Sequence, residues 1–128
     1  MKGGNVKIEV SNGDIVDKAS ILMIKLDRIS SPEKIVNIQK ELDAILPFCL
    51  KVLHPQDELF QKLKHINETL WDIEDSIRRK ESEKNFDDEF IELARSVYIK
   101  NDIRHKIKQQ INIASESNLQ EEKSYEQY

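Results

Sequence analysis

Apolar side chains recur along this chain at helical spacing in four stretches. The first stretch, residues 14–29, carries Ile15, Ala19, Leu22, Leu26 and Ile29, spaced alternately four and three apart. A second set, Val16, Ile21, Met23 and Ile24, covers most of the remaining circumference. A helix apolar nearly all round is buried on several sides. At sixteen residues, and interrupted by Lys18, Lys25 and Asp27, it is too short and too charged to span a bilayer. The pattern therefore predicts the central helix of a helical assembly. The alternative is an over-hydrophobic surface helix.

The second stripe is Ile35, Ile38, Leu42, Ile45, Cys49 and Val52, within residues 32–54. Ser31-Pro32-Glu33 reads as its start, with Ser at the cap and Pro in the first turn. Pro47 lies inside the stripe without shifting its phase, so this helix is either kinked or split there. The third stripe, within residues 57–81, is Leu59, Leu63, Ile66, Leu70, Ile73 and Ile77, a coiled-coil-like seam. A short polar link follows, then Asp87-Asp88-Glu89, acids that suit the positive start of a fourth helix over 87–114. The short link makes helices three and four an antiparallel hairpin.

Two segments lie outside this pattern. Val6 to Val10 alternates apolar and polar, as a short β-strand does. A lone strand leaves its backbone unpaired. It either pairs with a second copy or with the chain near Lys123–Tyr125, or it is an unpaired arm across the helices. Ser11 or Asn12 caps the first helix. Residues 115–128 are polar and read by composition as a mobile tail.

The fourth helix breaks its own rule. Phe90, Leu93, Ala94 and Val97 begin a stripe that Ile107 and Ile111 resume. Between them, Arg104 lies about 20° and Asn101 about 40° from Val97, on the face expected to be buried. A buried guanidinium must be paired, because desolvating it alone costs several kcal/mol. The facing seam of the third helix offers Asn67 but no carboxylate, so Asp17, Asp27, Glu41, Asp43 or another subunit must supply one. This is either a buried polar pair that fixes register or a site for an anionic ligand.

Composition narrows the picture. The chain has 128 residues, 34% of them charged, with 6% aromatic, 3 Gly and 3 Pro. That length and that scarcity of turn formers suit one all-α domain over 1–128. The net charge of −4 gives no general attraction to nucleic acid or acidic membranes. The single Cys49 sits in an apolar run as a small core residue. The first residues show no apolar targeting segment, so the expected location is cytoplasmic.

Candidate chemistry is sparse. Trp71 is surrounded by Asp72, Glu74 and Asp75, and with Glu89 and Glu92 these acids could gather around Mg²⁺, as in helical nucleotide pyrophosphatases. Their order and spacing are not the signature of those enzymes, and a solvated acidic face is the plainer reading. The histidines are scattered, and no phosphate loop, nucleophile elbow or cysteine pair occurs. No metal site and no cofactor is expected. The basic run Lys100, Arg104, His105, Lys106 and Lys108 is broken by Asp102 and reads as a solvated face.

Val10-Ser11-Asn12-Gly13-Asp14-Ile15-Val16-Asp17-Lys18, Leu70-Trp71-Asp72-Ile73-Glu74-Asp75, Phe90 to Tyr98, Asn101-Asp102 with Arg104, and Glu121 to Tyr125 together resemble a bacterial and phage family of small proteins of unknown function. The resemblance covers nearly the whole chain. It implies a loose association with glycosyltransferase and surface-polysaccharide genes, and a tail that docks. The residues it singles out for ligand binding are Lys18, Trp71, Asp72, Asp75, Arg95, Tyr98, Asn101, Asp102, Arg104, Lys123 and Tyr125, with Asp14 and Asp17 beside them.

The sequence thus predicts four main helices and a short N-terminal strand, forming a homodimer or engaging a protein partner. The expected role is a non-catalytic interaction module. The alternative is a protein or enzyme that binds a small anion, a nucleotide or a sugar phosphate through Lys18, Arg95 and Arg104, with Asp72 or Asp75 assisting. That alternative requires those charges to converge in a pocket. The module predicts them dispersed or locked in internal ion pairs.

Overall fold

Helix α1, Asn12–Arg28, lies among three others: α2, Pro32–Val52; α3, Glu58–Ser82; and α4, Asp88–Ala114. The computed structural model describes residues 3–128. α1 packs against all three remaining helices, whereas the backbone of α2 approaches only α1. The buried environment expected from α1's all-round apolarity is thus met inside one chain.

Caps set the helix starts. Ser11 accepts from the Asp14 amide at 3.2 Å, Asp57 from Leu59 at 2.9 Å, and Asp87 from Phe90 at 2.9 Å. α2 starts differently: Ser31 makes no side-chain cap bond, and Pro32, which lacks an amide hydrogen, occupies the first turn. Pro47 lies within one continuous α2. At the C-termini of α3 and α4, Lys84 and Glu116 take positive φ. Asn85 and Ser117 then donate back to Lys80 and Asn112 at 2.9 and 2.8 Å. The second of these turns sends the tail back toward the start of α1.

The core joins Val16, Ala19 and Leu22 of α1 to Ile38, Leu42 and Cys49 of α2. Phe60, Leu63 and Ile66 of α3 and Ile107 and Ile111 of α4 complete it. Phe60, fully buried one residue from the predicted seam position Leu59, was not among the expected core residues. The core does not reach the far end of the α3–α4 hairpin. No residue between Ile73 and Ile107 is fully buried. α1 is about 25 Å long against about 37 and 40 Å for α3 and α4, so the hairpin runs on past its end.

The expected strand is absent. Residues 3–10 are exposed and without regular structure, and Val6 and Ile8 are 89% and 78% exposed. Alternation alone cannot make a strand where no sheet edge is offered. The segment's link to the tail is instead a side-chain bond, Asn118 Nδ2 to Glu9 Oε1 at 2.9 Å. The tail is docked. The Asn12 amide donates to Ser117 Oγ at 3.0 Å, Lys108 meets Glu121 at 2.9 Å, and the Tyr128 ring packs edge-on against Tyr98 at 5.2 Å. These contacts are a few single bonds rather than buried apolar area, and residues 122–128 remain exposed.

Candidate functional site

The polar break in α4 meets a matching break in α1. Asp17, 5% exposed, receives Arg104 through both Nε, at 3.1 Å, and Nη2. Asn67 of α3 closes the group from the third side. Its amide nitrogen donates to Asp17 Oδ1 at 2.8 Å and to Ser20 Oγ at 2.9 Å. Ser20, fully buried, donates its hydroxyl hydrogen bond to the Asp17 backbone carbonyl at 2.7 Å. The carboxylate that Arg104 requires is therefore Asp17, from the same chain.

One turn further, Lys108 lies 2.8 Å from Asp14, 2.9 Å from Glu121 and 3.9 Å from Asp17. Burial alone would lower the pKa of this ammonium, but its bonds to Asp14 and Glu121 outweigh that and hold it above its ordinary value. Asp14 shows the converse balance. Burial pushes its carboxyl up, and Lys108, Ser11 and Arg104 together bring it below the ordinary 3.8. The Arg104 guanidinium is held above its ordinary value by Asp17, against the opposing effect of burial.

Gly13 explains how α1 and α4 come close enough. A Cβ there would stand 2.7 Å from the Lys108 carbonyl oxygen, which backbone cannot yield without moving the helix. The Gly13 amide donates to Asn112 Oδ1 at 2.6 Å, and Asn112 is 1% exposed. Gly13, Ser20 and Asn112 were not singled out as site residues in the sequence. The signal that could have found them is small or amide side chains at apolar-phase positions of two helices.

The other singled-out residues divide among three places. Trp71, Asp75, Asn101 and Arg104 line a cleft of about 440 Å³ between α1, α3 and α4. Tyr98, Asn101, Asp102, Lys123 and Tyr125 line a second hollow, of about 660 Å³, between α4 and the tail. The Asp102 carboxylate beside the Tyr128 hydroxyl pushes the tyrosine pKa above the ordinary 10.0. Asn101 stands between the two hollows. Lys18, Asp72 and Arg95 lie elsewhere. Lys18 pairs with Glu41 at 3.1 Å on the α2 side, Asp72 with Arg28, and Arg95 with Glu92 at 3.0 Å.

The acids do not gather around a metal. Among the described residues no three carboxylate, histidine or cysteine side chains stand close enough to hold an ion. Glu89 is engaged by Lys80 at 3.3 Å. No helix among the described residues is long and apolar enough to cross a membrane.

A family of unknown function, DUF6165, matches residues 6–128. No curated protein and no solved structure matches the chain.

Proposed function

The chain belongs to that family of unknown function, and from this premise we propose that it is a non-catalytic assembly module that pairs with a second copy of itself through the projecting α3–α4 hairpin. The carrying observation is the hairpin's unfinished burial. Its seam residues Ile77, Phe90, Leu93 and Val97 are only half-buried, and Phe86, Ile91 and Tyr98 are 53%, 52% and 44% exposed. A two-helix layer must bury its apolar stripe against another layer, and two such hairpins make a four-helix bundle.

Charge favours a second copy as the occupant. Of the charges on α4, Asp88 near its start and Lys100 and Lys106 in its second half have no ion-pair partner among the described residues, while Glu89, Glu92, Arg104 and Lys108 are paired within the chain. Two α4 helices crossing antiparallel near Tyr98 therefore lay opposite charges together. Asp88 and Lys106 lie on the same flank at nearly equal distance either side of Tyr98, and neither has an ion-pair partner among the described residues.

The anion-binding alternative finds less support. Lys18, Arg95 and Arg104 stand apart, each against a carboxylate of its own chain. We carry a setting in surface-polysaccharide synthesis, and a cytoplasmic location, as part of the proposal; both rest on the sequence and its resemblance alone.

Light scattering of the purified chain in the micromolar range tests the pairing. The expected result is twice the chain mass, returning to one chain mass for Ile91→Glu with its helical circular dichroism intact. A wild-type monomer across that range overturns the proposal.

A further inference from the structure

The cleft between α1, α3 and α4 shares Arg104 and Asn67 with the Asp17 network, and its other lining residues take no part in that network or in the pairing surface. Its two ends carry opposite chemistry. At one end stand Arg104, Asn67 and Asn101; at the other, Glu74 and Asp75, about 12 Å further along α3. Between them lie Ile21, Ile24, Leu70 and the Trp71 ring. At about 440 Å³ the cleft falls within the roughly 300–1,000 Å³ of small-molecule sites.

Several of these polar groups have capacity to spare. Arg104 spends Nε and Nη2 on Asp17, and its Nη1 has no partner among the described residues. The same is true of the Asn101 amide, the Trp71 indole N–H and the Asp75 carboxylate. Glu74 holds only Arg78, whose side chain is 80% exposed. Trp71 already accepts one cation, the Arg28 guanidinium at 5.8 Å from its ring centre.

We propose that this cleft binds a small zwitterion: an ammonium and a carboxylate joined by an apolar stem. The ammonium sits between Asp75 and Glu74, the stem lies on Leu70, Ile24 and Trp71, and the carboxylate receives Arg104 Nη1–H and the Asn101 amide. The two ends are unequal. Asp17 balances the charge of Arg104, so the carboxylate is held mainly by directed N–H donors, while the ammonium meets net negative charge. A free anion such as phosphate is therefore disfavoured by the same acids that attract the amine.

Trp71 is the only tryptophan, so its fluorescence reports this cleft directly. The probes are ω-aminohexanoate, ω-amino-octanoate and ω-aminodecanoate, with octylamine and octanoate as controls of matched stem. The expected result is a saturable change for ω-amino-octanoate, binding tighter than octylamine, and octylamine tighter than octanoate. Asp75→Asn, at an exposed position, should weaken the zwitterion about threefold to fivefold, the range of one partly exposed ion pair. Octanoate should be unaffected by that substitution. A zwitterion no tighter than octylamine, or an affinity unchanged by Asp75→Asn, overturns the proposal. Neither outcome depends on whether the chain pairs through its hairpin.

Discussion

The two sides of α1 are held in different ways. Toward α2 the contact is apolar: Ile38, Leu42 and Cys49 are buried, and the ion pair recorded between the two helices, Lys18 with Glu41, lies at the surface. Toward α3 and α4 the apolar contact with Phe60, Leu63, Ile66, Ile107 and Ile111 is joined by a polar one, Gly13, Asp17 and Ser20 against Asn67, Arg104, Lys108 and Asn112. The apolar side supplies area and accepts any good volume match. The polar side supplies geometry. Each of its groups has named partners, and a shift of α4 by one turn would break the two-pronged Arg104 bond to Asp17 and part Gly13 from Asn112.

The largest loss is expected on the apolar side. Leu42→Ala, at a site 6% exposed, should cost about 2–5 kcal/mol in denaturant unfolding. That cost should be insensitive to salt and pH, as a loss of volume is. A clear salt dependence would mean that the two sides are not separable.

Arg104→Met should follow, at about 2–4 kcal/mol, somewhat below the loss for a fully buried pair because the Arg104 side chain is 29% exposed. The informative measurement is the cycle with Asp17→Asn. Removing both charges should cost less than the sum of the single losses, since Asp17 then leaves no unpaired charge. Additive losses would show that the pair is not the unit.

Gly13→Ala should cost about 1–3 kcal/mol, the usual range for overpacking, because its Cβ meets backbone rather than a yielding side chain. Thermal unfolding reads this directly. A neutral result would place the close approach of α1 and α4 in doubt.

The smallest effect is acid loosening of the α1–α4 end. The Asp14 carboxyl is lower in the folded chain than its ordinary 3.8. Its contribution is therefore present above that pH and lost as pH falls through the depressed folded value. Lys108 acts at the opposite limit. Its raised value gives a contribution that is full below 10.5 and lost as pH rises through the folded value. Protection of the Asn12 and Gly13 amides, measured against their intrinsic exchange rates, should fall on acidification before protection in α2 does, and Asp14→Asn should remove that difference.

What the sequence showed follows the same division. Apolar periodicity is a repeated signal, so four helices, the hairpin and the central place of α1 were readable. Arg104 was readable as a misfit because it interrupts that signal, and Asp17 stood among its possible partners. Ser20 and Asn112 were not, since a small or amide residue at an apolar phase is ordinary until its partner is known. The strand at residues 6–10 failed because alternation is a local property and pairing is not. The docked tail was invisible to composition because its anchors, Ser117, Glu121 and Tyr128, are scattered single contacts.

The Asp17–Arg104 bond joins residues 87 positions apart, and Gly13 with Asn112 spans 99. During synthesis on the ribosome α1 is made early, and the cations that neutralise its buried carboxylate are made late. A nascent chain ending after α3 has Asn67 but neither Arg104 nor Lys108, so Asp17 has nowhere dry to go. Burial of Asp17 with its charge paired therefore waits for α4.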